Sequence, residues 1–378
     1  MGRGIVTHVG TGGRRGLMAA TMALIVALVM ALGAAAPGQA SPDKDADLVV
    51  MTQNLYLGSS NTPALEAGNA EEFVAAVTQI YATVLYTDFP ARAQAIADQI
   101  EAAEPDLVGL QEVATWTTTG VGAPPDQDFL EILQAALDAR GLDYAVAAVV
   151  DNASIGPAPL ALPACLDPTF GITCTVQLDD RDVILVNNHT AGLEWSNPST
   201  GRYEAQAIVA TPVGPLSFDR GWVSIDARLD GEPFRFVNTH LETEDSPDVQ
   251  QAQAAEFLAG PGRGGTIIAV GDFNSAADGS TTTSYAQLTA PGKFRDAWDE
   301  DLLGPGVTCC QASNTPPLAP GALNNPVSTL RTRIDLVLGR GAARSIEAEA
   351  MVVGDEPFQP APPFWPSDHA GVVASVRL

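Results

Sequence analysis

The stretch Thr266-Ile267-Ile268-Ala269-Val270-Gly271-Asp272-Phe273-Asn274-Ser275 passes directly from an apolar run to a carboxylate and an amide. Residues 266–270 form a short apolar run, which predicts a strand. Asp272 and Asn274 then stand where such a strand leaves the core, the place where polar chemistry reaches a surface. The same arrangement recurs along the chain. Residues 48–53 read as a buried strand ending at Asn54, and Leu107-Val108-Gly109-Leu110 reads as another, followed by Gln111 and Glu112. Asn238-Thr239-His240-Leu241 ends a hairpin strand, Arg333-Ile334-Asp335 opens a late one, and Ser367-Asp368-His369 precedes the last.

Between these segments the chain alternates strands and helices. Asn69 with Glu71 and Glu72 opens a helix to about residue 85. A second begins at Pro90, carries Ala93, Ile96, Ala97 and Ile100 at helical spacing and stops at Pro105. Others are expected over residues 128–139 and from Ser246-Pro247. Further strands are expected over 144–150, 182–186, 207–211, 222–229, 234–239, 334–338, 347–353 and 372–376. So many hairpins do not fit a simple doubly wound sheet, and two packed sheets do. Residues 115–127, 152–173 and 304–329, dense in Gly, Pro, Ser, Thr and Asn, read as surface loops within one domain over residues 41–378.

Residues 1–40 read as an export signal, with Arg3, Arg14 and Arg15 before an apolar run at 17–36 and small residues up to Ala40. An uncleaved membrane anchor is the alternative, since roughly twenty apolar residues can span a bilayer. Four cysteines suit an oxidising compartment. Cys165 and Cys174 are expected to form a local staple, leaving Cys309 and Cys310 to bridge each other or stay reduced. With 45 Asp and Glu against 19 Lys and Arg, the net charge is −26. That excess disfavours a general polyanion-binding surface, so phosphate chemistry here calls for a metal. The strand-end acids, amides and histidines, with almost no nucleophilic Ser or Cys, suit a hard cation and an activated water.

Taken in order, these segments resemble the endonuclease/exonuclease/phosphatase superfamily of deoxyribonucleases, apurinic endonucleases, neutral sphingomyelinases and inositol-polyphosphate phosphatases. The resemblance covers residues 47–378. It implies a mixed α/β, four-layered sandwich with two mixed β-sheets face to face, helices outside and a metal site at one edge. It also implies roles: Glu112 as principal metal ligand with Asn54 and Asp368, Asp272 and Asn274 to position and deprotonate water, and Asp335 to orient His369. His240 joins the catalytic set, as in the histidine-dependent members. Asp180 or Asp182 is a candidate to orient His240 across the sheet. Mg2+ is the first expected cofactor, with Mn2+ or Ca2+ as alternatives.

The expected activity is metal-dependent hydrolysis of a phosphoester by a secreted enzyme. The substrate is a small molecule, a nucleic acid or a phospholipid headgroup, so the alternatives are an endonuclease and a sphingomyelinase-like hydrolase. An inactive binding module ranks below these, because Glu112, Asp272 and His369 are all present. No obligate protein partner is evident, and a monomer is expected. His189 reads as part of an Asn-rich turn, Phe294 and Trp298 as core, and Glu242 to Asp248 as a solvated acidic run, with Glu242 and Glu244 placed to tune the field at His240. No exposed aromatic run is found; Phe358 and Phe364-Trp365 come nearest to an aromatic rim.

Overall fold

The computed structural model describes residues 48–312, 318–345 and 350–378. The expected export signal at 1–40 lies outside the described residues. Fourteen strands build two sheets: β1 (Leu48–Asn54), β2 (Leu107–Gln111), β3 (Thr115–Gly120), β4 (Gln127–Asp128), β5 (Tyr144–Leu160), β6 (Cys174–Asn187), β7 (Leu193–Arg202), β8 (Gly221–Leu229), β9 (Glu232–His240), β10 (Ile267–Asp272), β11 (Arg295–Asp296), β12 (Asp335–Arg340), β13 (Ala350–Val353) and β14 (Gly371–Val376). The first sheet runs β13-β14-β1-β2-β6-β3-β4, with β5 also paired to β6, and the second runs β11-β12-β10-β9-β8-β7. Each is mixed: β1 and β2 are parallel, as are β9 and β10, among antiparallel neighbours.

Side-chain alternation stacks the layers. Leu48 and Val50 of β1 face the second sheet and share a core with Val223, Phe236, Ile268, Val270 and Val337. Val49 and Met51 point the other way, into a core with helices α1 (Ala70–Tyr86), α2 (Phe89–Ala103) and α3 (Phe129–Asp138). On the far side, Val237, Ala269 and Leu336 pack under α4 (Pro247–Ala259) through Phe257. The result is helix, sheet, sheet, helix, and strands covered on both faces explain the apolar runs without alternation.

Helix starts follow local chemistry. Asn69 caps α1 by accepting from Glu72 N–H while the Glu72 carboxylate takes the Asn69 side-chain amide, a reciprocal box. Asp128 caps α3 through Leu130 and Glu131 N–H.

Two expected loops are partly strand. Residues 115–120 form β3, and β5 continues to Leu160 beside β6, which begins at Cys174. Beyond that pairing the Cys165–Cys174 disulfide closes a small hairpin, Leu166–Asp167 against Gly171–Ile172. Its tip is apolar and solvated, with Phe170 81% exposed, Leu166 53% and Ile172 41%. The hairpin exposes a single aromatic residue, not an aromatic run. Strand β7 was not anticipated either, because its residues are largely exposed and polar. Among the described residues no helix is long and apolar enough to cross a membrane.

Candidate active site

The strand ends meet at one rim. Register pairs Asn54 with Gln111 in the first sheet, and His240 with Asp272 and Asp272 with Asp335 in the second. Beneath the rim the sheets are clasped by amides. Gln111 Nε2 donates to Asn238 Oδ1 at 2.6 Å, and Asn238 Nδ2 donates to the carbonyls of Leu110 and Val183. Gly109 allows this approach, since a Cβ there would run into Val270 and come within 2.9 Å of Asn238 Oδ1.

Asp272 is the hub. Its Oδ2 lies 3.2 Å from Asn54 Nδ2, 3.4 Å from His240 Nε2 and 3.7 Å from His369 Nε2. Its Oδ1 accepts the N–H of Asn274, whose φ of 50° is the left-handed conformation that bends the chain back onto the carboxylate. Such strained backbone is characteristic of functional sites. The Asn274 side-chain amide reaches His240 Nε2 at 3.0 Å, and His369 Nδ1 meets Asp335 Oδ2 at 2.9 Å. Arg333, a potential rival for Asp335, is engaged by Asp296 at 2.6 Å.

Burial pushes the Asp272 carboxyl up to about 7, against the pull of His369 and with help from Asp335. Burial opposes charge on His369, but Asp335, Asp272 and Asp368 hold its pKa well above the ordinary histidine range. His240 goes the other way: burial, Arg220 and His369 push it well below. Two histidines at one rim are therefore pushed in opposite directions, which is how neighbouring groups acquire different roles.

Glu112 and Asp368 line a cleft of about 710 Å³ together with Tyr56, Arg220, Glu242 and Cys310. Glu112 adopts φ 53° and gives Oε2 to Leu57 N–H at 2.8 Å. Burial lifts Asp368 to about 7, with His369 lowering it and Glu112 raising it, and its Oδ1 is buried without a hydrogen bond. Two carboxylates facing one cleft, one with an orphaned oxygen, fit a hard divalent cation. Asn54 Oδ1 already accepts Tyr56 N–H at 2.8 Å, so the amide can join a ligand set only through its remaining lone pair. Asp272, Asp335 and His369 form another grouping with ligand atoms within 4.8 Å of one another, although His369 Nδ1 is engaged by Asp335 there.

Three neighbours escaped the sequence reading. Arg220 places Nη1 2.9 Å from His240 Nδ1 and 3.1 Å from Nε2, and Nη2 3.8 Å from Glu242 Oε1. A guanidinium can only donate, so a ring nitrogen that accepts from Arg220 carries no proton, which disfavours the doubly protonated, charged ring. Counting back from the Asp230-Gly231 turn through the pairing of Trp222 with Thr239 brings Arg220 close to His240, a signal present in the sequence. Arg92, fully buried on α2, donates to the carbonyls of Leu55, Tyr56, Thr87 and Pro366 and so ties together the segments after Asn54 and before Asp368. Cys310 places Sγ 3.9 Å from His369 Nε2.

Other expectations are corrected. Neither Asp180 nor Asp182 hydrogen-bonds His240, because Arg220 occupies that side of the ring. Both acids are buried, and Asp182 leaves both oxygens without a hydrogen bond of good geometry. Burial and Glu112 raise Asp180 to about 7, while burial and Asp180 raise Asp182 well above the carboxylate range. Glu242 is buried beside Arg220 and not solvated. Trp365 is 1% exposed and packs on Tyr56 and Leu323, so it supplies core in place of an aromatic rim. His189 is exposed in a turn at the far end of β6, its N–H on Asn187 Oδ1.

Among solved structures, the fold is similar to TDP2 from Caenorhabditis elegans at 15% identity, with 88% of this chain and 97% of that one covered and a TM-score of 0.47. It is also similar to an endonuclease/exonuclease/phosphatase family protein from Leptotrichia buccalis, at 15% identity over 88% and 100% of the two chains with a TM-score of 0.48. A mannosyl-6-phosphatase from Bacteroides thetaiotaomicron gives 16% identity over 88% and 100%, with a TM-score of 0.47. No curated protein is significantly similar in sequence. The profile of one family matches residues 51–369 and so spans both sheets and every strand end at the rim. On that match the chain belongs to the Endonuclease/Exonuclease/phosphatase family, enzymes that hydrolyse phosphoester bonds and typically work with a divalent metal.

Proposed function

We propose that the protein is a secreted, divalent-metal-dependent phosphodiesterase or phosphatase acting on small phosphoesters. The observation that carries this reading is the convergence of Asn54, His240 and His369 on Asp272 Oδ2, beside a cleft lined by Glu112 and Asp368. Glu112 and Asp368 would hold the ion, Mg2+ first, and a hard cation there supplies positive charge to a non-bridging phosphate oxygen. Asp272, with a pKa near neutral, accepts the proton of the attacking water while Asn54 and Asn274 fix its two oxygens. His369, kept charged by Asp335, donates to the phosphate as negative charge builds and has a proton available for the leaving oxygen. His240 stays neutral and links Arg220 to Asn274.

The acidic excess supports small substrates over nucleic acid, so an endonuclease is the runner-up. The exposed Phe170 hairpin favours a second reading, hydrolysis of a phospholipid headgroup at a membrane surface. Export rests on the sequence of residues 1–40 and accords with the Cys165–Cys174 disulfide. The test is turnover of bis-p-nitrophenyl phosphate, a phosphomonoester, plasmid DNA and sphingomyelin vesicles with Mg2+, Mn2+ or Ca2+. Metal-dependent turnover of either of the first two supports the proposal. Activity confined to DNA or vesicles selects an alternative, and none with any metal removes the hydrolase reading.

A further inference from the structure

Strand β6 carries Asp180 and Asp182 two residues apart, so both carboxylates leave it on the same face as Ile184 and Val186, toward the second sheet. Asn152 of β5 joins them from the neighbouring strand, two residues beyond Val150, the register partner of Asp182. Its amide lies against both carboxylates. Strand β8 closes the other side: a Cβ on Gly221 would come within 3.2 Å of Asn152 Oδ1. Asp182 is 0% exposed and Asn152 2%, while Asp180 also reaches the wall of the cleft. Both oxygens of Asp182, Oδ1 of Asp180 and both polar side-chain atoms of Asn152 have no hydrogen bond of good geometry. Polar groups buried this deeply without partners are costly, and several of them turned to one place call for a ligand. Arg220 does not meet the need. Its single charge faces Glu242, Asp180, Glu112 and Asp182 together, and its Nη1 is engaged by His240.

We propose that Asp180, Asp182 and Asn152 form a binding site for a calcium ion between the two sheets, separate from the Glu112–Asp368 site in the cleft. The donors are oxygens, without sulfur or imidazole, which selects a hard cation over zinc or copper. A carboxylate ligates through one oxygen or two, and the Asn152 amide turned with Oδ1 inward adds a neutral ligand. Ca2+ suits such a set better than Mg2+. It accepts irregular geometry, whereas Mg2+ needs a near-ideal octahedron and retains several waters, for which the space between packed sheets has little room. Entry is from the cleft, by way of Asp180. An ion held there offsets the two acids that otherwise compete with Glu242 for the charge of Arg220. The site shares no donor with the hydrolytic centre, so it does not depend on what that centre does.

The test is calorimetric titration of Ca2+ into metal-free protein carrying Glu112→Gln and Asp368→Asn, which silence the cleft carboxylates, with about 0.15 M KCl to screen the acidic surface. This parent is expected to bind about one Ca2+ per chain. Adding Asp182→Asn or Asn152→Ala should weaken that binding about tenfold or more, the scale of a lost ligand or of its support. Ca2+ should also raise the melting temperature of the parent and leave that of Asp182→Asn in place, since an ion that binds the folded state stabilises it. If Asp182→Asn does not fold, Asp180→Asn and Asn152→Ala decide by the same two readings. No calcium bound by the parent, or equal binding by parent and variants as an acidic surface alone would give, overturns the proposal. So does an Asp182→Asn protein that melts above its parent in EDTA while Ca2+ shifts neither, the result expected if a proton or water serves these atoms. No turnover is read, so failure of the hydrolase reading leaves the outcome intact.

Discussion

His369 Nδ1 lies 2.9 Å from Asp335 Oδ2, a contact between residues 34 apart in sequence and buried at the seam where the two sheets meet. The carboxylate fixes the tautomer and stabilises the charged ring, so the pair acts as one unit. Asp335→Asn and His369→Ala should each lower kcat by about two orders of magnitude, the range for acid–base groups. The double variant should be little worse than the poorer single one, because groups acting as a unit are not additive. Multiplicative losses with circular dichroism unchanged would show independent roles.

Metal dependence should track the cleft carboxylates. EDTA should abolish turnover and Mg2+ restore it, while Glu112→Gln should raise the Mg2+ concentration needed for half activity far more than Asp335→Asn does. Activation curves for the two variants separate these roles; superimposable curves would count against Glu112 as a ligand.

Arg220 should matter although it holds no proton to transfer. Replacing it with Met removes a charge-assisted hydrogen bond, a loss of about 1.5–3 kcal/mol, or roughly ten- to a hundredfold in kcat/KM if felt at the transition state. Lys should rescue only partly, because an ammonium cannot span His240 and Glu242 as a planar fork does. Full activity in Arg220→Met would reduce the residue to a structural role.

Asp128 offers a pH signature away from the site. Burial works against its charge, but the Arg181 guanidinium at 2.8 Å and the capped N–H groups hold its pKa below the usual carboxylate value. A depressed native pKa adds stability that is complete above the unfolded value of about 4 and is lost as pH falls through the native one. Asp128→Asn should therefore lower the urea midpoint at pH 7, and the gap from wild type should close under acid. A gap that stays constant as the pH is lowered through the whole acid range would contradict the ion pair.

The sequence disclosed what burial imposes locally. Strands such as β1 and β10, covered on both faces, open on unbroken apolar runs, so the polar residues at their ends are conspicuous. Strand β7 is largely exposed, and the outer half of β5 is rich in Asn, Ser, Gly and Pro, so their composition is that of a loop. Within the site, Asp272 and His369 announce themselves at strand ends, whereas Arg220 is a lone cation whose importance comes from register across a hairpin. Glu242 was read as solvated because nothing local shows that the Arg220 side chain covers it.

The stapled hairpin has a consequence for how the protein would meet a protease. Phe170 is almost fully accessible between Cys165 and Cys174. A protease with chymotrypsin-like preference would cut after it, leaving one fragment with Asn54 and Glu112 and another with Asp272, Asp335 and His369. The disulfide spans the cut, so the two pieces remain a single covalent molecule with the site assembled. Such a nicked form would run as one band on a non-reducing gel and as two after reduction, and it would keep working until its surroundings became reducing.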